Sequence, residues 1–241
     1  MTTTTVALAW TWPRPVLLLE ADPGGGSAIL SGTFGGFREY TTGLVELTTT
    51  PLDLADALQD VGQPVADTQV TFVAGPRSHL QSASLEPLWG RLADVLDDLD
   101  TSGQDVIVDA GRLGMRGSPE PLLALADLTL IVSRTDLVSL SAVRTWAGAL
   151  TDHALAWRDP GLLLVGAGRP YSAAEVGKSL GLPIVATVRD DAEAAAVYHS
   201  GTTPGRSWAT GAYVRSIRAA GAAITARIAR GRVDLTAEVN S

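Results

Sequence analysis

Short apolar segments alternate with longer amphipathic segments along most of this chain. The short segments are rich in β-branched residues, and we predict strands near residues 16–20, 70–74, 105–109, 128–133, 162–165 and 184–188. Several of them are apolar at nearly every position, which is typical of strands that are buried on both faces. The alternation therefore predicts an α/β fold of three layers, in which helices flank a mostly parallel sheet.

The longer segments carry the signals of helices. Apolar side chains recur every three or four residues over Leu85–Leu99, which predicts an amphipathic helix. Ser172 and Glu175 form a capping box that starts a second helix, and Gly181 ends it. A long last helix is predicted over Thr210–Arg230, with an apolar stripe along one face.

The length of the chain and its lack of linkers predict a single domain. A chain of 241 residues is long enough to bury one sizeable core, and neither an internal repeat nor a long linker divides it. We expect one domain over residues 1–230, followed by a frayed tail over residues 231–241. Residues 32–50 are predicted to be rich in loops.

Composition and charge exclude several classes of protein. The chain has no cysteine, so disulfides, thiolate metal sites and cysteine nucleophiles are excluded. Its histidines, His79, His153 and His199, match no metal-ligand spacing. A net charge of −8 argues against generic nucleic-acid binding, because cations that contact phosphates supply that affinity. No apolar run approaches the ~18 residues of a membrane-spanning helix, and no signal-peptide pattern is present, so a cytoplasmic location is expected.

Acidic residues and glycine turns follow two of the predicted strands. Asp22 comes just after the first strand and before three glycines, and Asp109 ends the third strand, two residues before Gly111. Ligands of open α/β sheets bind beyond the carboxyl ends of the strands. Two acids at such ends suit a magnesium–nucleotide site, where one carboxylate holds metal-bound water and another orients the attacking water. In the alternative interpretation, the glycines only form a turn and Asp109 caps a helix.

The order of these motifs resembles that of the MinD/ParA family of deviant phosphate-loop ATPases, which includes the CpaE-like proteins of pilus and secretion loci. The threonine run Thr2–Thr4 resembles the segment that follows the family's glycine–lysine pair. Leu18–Gly25 resembles the family's D-x-D-P-x-G switch, and the strand that ends in Asp109 resembles its Walker B strand. Residues 126–132 and 182–191 also resemble later segments of the family, so the resemblance covers nearly the whole chain.

The resemblance implies a role for each matching residue. Thr2 and Asp109 would bind Mg2+, and Asp22 would position the attacking water. Residues expected to contact ATP lie at both ends of the chain: Thr2, Thr3, Arg189 and Asp190. The implied function is an ATP-dependent switch that forms a homodimer and recruits protein partners in cell division, chromosome partitioning or pilus and secretion assembly.

The family's phosphate loop has no counterpart in this sequence. The only lysine is Lys178, in a helical segment, so no G-x-x-x-x-G-K-[ST] motif can be written. Met1 stands at the position of the loop lysine, and the strand that precedes this loop in the family is lacking. Either the true start lies upstream of Met1, or the chain is a degenerate member that keeps the fold to bind partners. Because that loop holds the phosphates, we expect weak ATP binding and slow or no hydrolysis.

Other functions remain as alternatives. A catalytically inactive scaffold that binds protein partners is the first of them. A Rossmann-like oxidoreductase is disfavoured because Gly24, Gly25 and Gly26 do not complete G-x-G-x-x-G, and a serine hydrolase is disfavoured because no G-x-S-x-G motif exists.

Two groups of arginines carry further alternatives. One group follows strand ends, where its members would contact phosphates, contact a partner or simply be solvated: Arg112, Arg134, Arg169 and Arg189. The other group lies on the last helix, which could touch anionic lipid through its arginines. The many alanines of that helix favour packing on the sheet instead.

Overall fold

The computed structural model describes residues 1–38, 40–65, 67–99, 103–151 and 155–239, with side chains as far as Val233. These residues form two compact units. Unit 1 comprises Met1–Leu123 with Glu193–Gly205, and unit 2 comprises Ala124–Ala192 with Arg206–Ser241. A single domain over residues 1–230 stays a prediction.

Helices and strands alternate along the chain, as the periodicity predicts. In chain order the elements are α1 (Thr2–Thr11), β1 (Val16–Glu20), a π-helical turn (Ile29–Thr33), α2 (Leu44–Leu47), α3 (Leu54–Val61), β2 (Gln63–Pro64), β3 (Val70–Val73), α4 (His79–Asp98), β4 (Asp105–Asp109), α5 (Glu120–Leu125), β5 (Thr129–Arg134), α6 (Leu137–Thr151), β6 (Pro160–Val165), α7 (Ala173–Leu180), β7 (Ile184–Val188), α8 (Ala192–Ser200), a 3₁₀ turn (Trp208–Thr210) and α9 (Ala212–Val239).

The sheet of unit 1 has the strand order β2-β3-β1-β4. β1 pairs in parallel with both β3 and β4, and every residue of β1 is buried. The register places Glu20 of β1 opposite Asp109 of β4. Parallel pairing in this register brings the acidic ends of two strands to the same edge of the sheet.

The sheet of unit 2 has the strand order β5-β6-β7, and all of its strands are parallel. Helix α9 packs against β7. Three residues of its predicted apolar stripe, Val214, Ile217 and Ile224, are buried, and Ile228 is half-buried. The apolar face that a lipid surface would need is therefore occupied by the sheet. None of the described helices is long and apolar enough to cross a membrane.

The α/β fold predicted from the sequence is confirmed, and all six predicted strands are present. The predicted capping box of α7 is also confirmed, because the Ser172 hydroxyl accepts from the Glu175 N–H and Gly181 ends the helix at a φ of 68°. Helix α9 continues to Val239, beyond its predicted end at Arg230. The last two residues of the predicted tail lie outside the described residues.

Strand β4 is an edge strand of the described sheet, since β1 is its partner on one side and no described strand pairs with the other. Its apolar residues Val106, Ile107 and Val108 are half-buried, whereas β1 beside it is fully buried. Natural proteins rarely leave an apolar strand with an open edge.

Candidate functional site

Asp109 is the most enclosed acid at the carboxyl edge of unit 1. Its side chain ends β4 with 1% of its surface exposed, and its Oδ1 accepts a hydrogen bond of 3.3 Å from the Gly111 N–H. Its Oδ2 is buried and makes no hydrogen bond of normal geometry with any described residue. Burial raises the pKa of Asp109, while the nearby Thr2 hydroxyl and the Gly111 N–H act in the opposite direction. A buried carboxylate oxygen without a partner requires a physical reason.

Thr2 lies beside this carboxyl because it begins helix α1. Helix α1 packs against β4 and β1, which places its first turn at the carboxyl edge of the sheet. Thr2 and Thr3 are half-buried, and Thr4 and Thr5 are buried. The predicted Thr2–Asp109 pair is thus brought together, whereas no described hydrogen bond of the Thr3 side chain ties it to the acids.

Asp22 reaches the same edge from the loop after β1. Its Oδ1 accepts a hydrogen bond of 2.8 Å from the Gly24 N–H, which holds the carboxylate in a tight turn. Gly111 packs directly on this carboxyl, so that a Cβ at Gly111 would overlap the Asp22 side chain. The charge of Asp22 also raises the pKa of Asp109. Asp22, Asp109 and Thr2 therefore lie in one group, although their catalytic and metal-binding roles stay predictions.

Glu20 is a fourth member of this group, and the sequence analysis missed it. Its side chain is only 3% exposed, and its two carboxylate oxygens accept hydrogen bonds from the backbone N–H groups of Ile29 (3.2 Å) and Gly75 (3.3 Å). Burial raises the pKa of Glu20, and the charge of Asp109 adds to that rise. The signal in the sequence is an acid at the end of a fully apolar strand.

Arg189 and Asp190 belong to unit 2. Asp190 forms an ion pair of 3.3 Å with Arg134, whose side chain is exposed, whereas that of Asp190 is half-buried. The Arg189 N–H donates a hydrogen bond of 3.1 Å to the Ser216 hydroxyl. The structure thus places both residues directly after the carboxyl end of β7, and their contact with an adenine stays a prediction.

The donor set of unit 1 fits a magnesium–nucleotide complex better than a metal caged by protein. Among the described residues, no three acidic or histidine side chains converge as a metal site. Mg2+ prefers oxygen ligands, keeps several waters and is usually bound by one or two carboxylates together with substrate phosphates. The Thr2 hydroxyl and the unpaired Asp109 oxygen supply ligands of this kind. His153 lies outside the described residues.

Comparison with known proteins gives matches in structure alone. No family model matches the sequence, and no curated protein matches it either. Among solved structures, the chain is similar to a ParA family ATPase from Chlorobium tepidum, with a TM-score of 0.72, 15% identity and 91% of each chain covered.

Two further structures extend the likeness to MinD. One is the septum site-determining protein MinD of Pyrococcus horikoshii in complex with Mg-ADP, with a TM-score of 0.65, 15% identity and coverage of 91% of this chain and 86% of that chain. The other is a complex of the cell division proteins MinC and MinD of Aquifex aeolicus, with a TM-score of 0.68, 12% identity and coverage of 93% and 90%. The fold of this chain is therefore the fold of the ParA and MinD ATPases.

Proposed function

We propose that this chain is a nucleotide-responsive positioning factor of the ParA/MinD type, with a magnesium–nucleotide site at the carboxyl edge of unit 1. The observation that carries the proposal is the group formed by Thr2, Asp22 and Asp109, in which one buried carboxylate oxygen lacks a partner. The MinD of P. horikoshii, which has this fold, was solved with Mg-ADP. The class of process would be partitioning, cell division, or pilus and secretion assembly.

Each residue of the group has a separate role in this proposal. Asp109 and Thr2 hold Mg2+, which supplies charge neutralisation at the phosphates when bound. Asp22 orients the attacking water, since its carboxylate is fixed by the Gly24 N–H and by the packing of Gly111.

Weak nucleotide binding is part of the proposal. The printed sequence contains no glycine–lysine phosphate loop, and such loops supply the backbone donors and the cation that hold phosphates. We assign the cation to Arg112, which is exposed, follows Gly111 and so starts beside Asp22. Three other arginines of unit 1 are engaged: Arg14 pairs with Asp105, Arg77 pairs with Glu46, and Arg38 lies over the Phe34 ring.

Calorimetric titration of Mg-ATP into the purified chain tests the nucleotide site. We expect saturable binding with a dissociation constant below about 1 mM, which corresponds to about −4.1 kcal/mol. Asp109→Asn should abolish the dependence of binding on Mg2+, and Arg112→Ala should weaken binding with or without the metal. Asp94→Asn and Arg91→Ala, which change exposed residues of α4, are the charge-matched controls. If the titration shows no heat of binding at millimolar nucleotide, the proposal is contradicted.

The dimer switch requires a second measurement. Light scattering measured as the chain elutes from a sizing column gives its molecular mass with and without Mg-ATP. The mass should rise from that of a monomer to that of a dimer only when nucleotide is present. If nucleotide binds saturably but the molecular mass does not change, the nucleotide site is supported and the dimer switch is rejected.

An inactive scaffold that binds protein partners is the second candidate. Five large apolar side chains that stand exposed on unit 1 favour it: Phe37 at 94%, Leu80 at 78%, Leu52 at 52%, Met1 at 45% and Met115 at 42%. The MinD of A. aeolicus was solved in complex with a protein partner, MinC. A scaffold is expected to show no measurable nucleotide binding although the chain is folded and unfolds cooperatively.

A further inference from the structure

A cavity of about 360 Å³ opens at the amino ends of β1 and β3, on the opposite edge of the sheet from Asp109. Two tryptophans and one acid belong to its lining, which consists of Ala9, Trp10, Trp12, Asp67, Thr68 and Gln69. The cavity is largely open to solvent, and its lining combines apolar walls with a few polar groups, as ligand sites do. The proposed nucleotide site uses none of these residues.

Both tryptophan rings are held in place by contacts outside the cavity. The Trp12 Nε1–H donates a hydrogen bond of 2.7 Å to Asp105, and Asp105 also pairs with Arg14 at 3.1 Å. The Trp10 ring lies 6.1 Å from the Phe34 ring, at an interplanar angle of 45°. Rigid aromatic walls bind a ligand at a smaller entropic cost than mobile ones.

Asp67 is the only ionisable residue in the lining, and its backbone is unusual. Its φ is +60°, and no other non-glycine residue in the described part of the chain has a positive φ. Residues in this left-handed region cost free energy, and they concentrate at functional sites. Its neighbours in the lining, Thr68 and Gln69, are uncharged, so the one charge in the lining is negative.

We propose that this cavity binds an organic cation, which contacts the Trp10 and Trp12 rings and lies near the Asp67 carboxylate. Indole is the best aromatic partner for a cation, and a carboxylate at the rim adds Coulomb attraction. The same row of rings already holds one cation, since the Arg38 guanidinium carbon lies 4.3 Å from the centroid of the Phe34 ring. The cation has either of two sources, a free quaternary ammonium compound or a lysine or arginine side chain of another protein.

The test uses the full chain labelled with 5-fluorotryptophan and followed by ¹⁹F NMR, with choline as the first probe. The Trp10 and Trp12 signals, assigned from Trp→Phe variants, should shift saturably while the other tryptophan signals stay in place. The uncharged isostere 3,3-dimethylbutan-1-ol should shift them at least fivefold less at equal concentration. Titrations with N-acetyl-lysine amide and N-acetyl-arginine amide then separate the two sources, because the tighter probe identifies the natural one.

Asp67→Asn is the decisive variant. Asparagine accepts a positive φ as readily as aspartate, so this change removes the charge and keeps the backbone. Choline affinity should fall about threefold to fivefold, the range of an exposed charge pair. Asp60→Asn, on the exposed face of α3, is the control for net charge and should bind as the wild type does. Equal shifts by choline and its isostere, no shift at all, or unchanged affinity in Asp67→Asn would each overturn the proposal.

Discussion

At the scale of single residues, the arrangement of acids in unit 1 depends on Gly111. Its φ of +67° lies in the left-handed region, and its α carbon packs on the Asp22 carboxyl without room for a side chain. Gly36 has a φ of +71°, but nothing lies within 4 Å of the point where a methyl group would stand, so it carries the same backbone requirement without the close packing. A comparison of substitutions at the two glycines therefore distinguishes the cost of backbone strain from the cost of steric overlap.

Gly111→Ala should destabilise the chain more than Gly36→Ala. A left-handed alanine costs about 1–2 kcal/mol at either position. Overlap with the Asp22 carboxyl should add roughly 1–3 kcal/mol at Gly111, as overpacking of a filled site does. Urea denaturation of both variants measures the difference in the free energy of unfolding. Equal losses would mean that Asp22 can move away from Gly111 freely.

Glu20 gives the molecule a pH dependence of known sign. Burial raises its pKa above the ordinary value of 4.5 in the folded state, so the folded chain holds this proton more tightly than the unfolded chain does. The contribution of Glu20 to stability is therefore largest below pH 4.5, and it falls as the pH rises toward the pKa of the folded state.

Glu20→Gln should flatten the decline in stability above pH 4.5. One proton accounts for a slope of at most about 1.4 kcal/mol per pH unit, and glutamine cannot release it. The variant also turns one acceptor into a donor against a backbone N–H, but that cost does not depend on pH. Urea denaturation at several pH values between 4 and 7 gives the two slopes. Identical slopes for variant and wild type would contradict the assignment of this pH dependence to Glu20.

At the scale of elements, helix α7 shows how local chemistry sets a boundary. The Ser172 hydroxyl accepts from the Glu175 N–H, and the Glu175 carboxylate accepts from the Ser172 N–H at 2.8 Å. Ser172→Ala should cost about 1 kcal/mol, whereas Ser172→Asn should cost much less because asparagine is an equally good N-cap. Thermal unfolding followed by circular dichroism compares the two variants. Equal losses would show that the cap contributes nothing beyond the serine's packing.

Elements whose signals are local were predicted well, and those that depend on tertiary contacts were not. β1, β4 and β7 begin and end where predicted, because each is an apolar run bounded by turn residues or acids. β2 has two residues, one of them Pro64, and exists only by antiparallel pairing with β3, so no periodicity reveals it. The residues of the candidate site show the same difference between local and tertiary signals. The strand ends predicted that Asp22 and Asp109 would meet, but the burial of Glu20 follows from the Ile29 and Gly75 backbones that fold over it.

At the scale of the whole molecule, acidic charge is in excess, with 26 aspartates and glutamates against 18 lysines and arginines. Several arginines are further neutralised by ion pairs, including Arg134 with Asp190 at 3.3 Å and Arg232 with Asp127 at 2.8 Å. The net negative charge of the chain repels the phosphate backbone of a nucleic acid, and the ion pairs weaken the attraction of these arginines for phosphate.

We therefore expect the chain to show no saturable binding to duplex DNA at 150 mM salt, with or without Mg-ATP. Non-specific binders typically have dissociation constants of about 10⁻⁴–10⁻⁶ M at such salt, so fluorescence anisotropy of a labelled 30-base-pair duplex at up to about 100 μM protein covers that range. A second titration at 50 mM salt is more sensitive to weak DNA binding, because phosphate contacts strengthen steeply as the salt concentration falls. Saturable binding that weakens with a steep salt slope would show that a local basic surface outweighs the net charge of the chain, and the search for partners would then turn to nucleic acid.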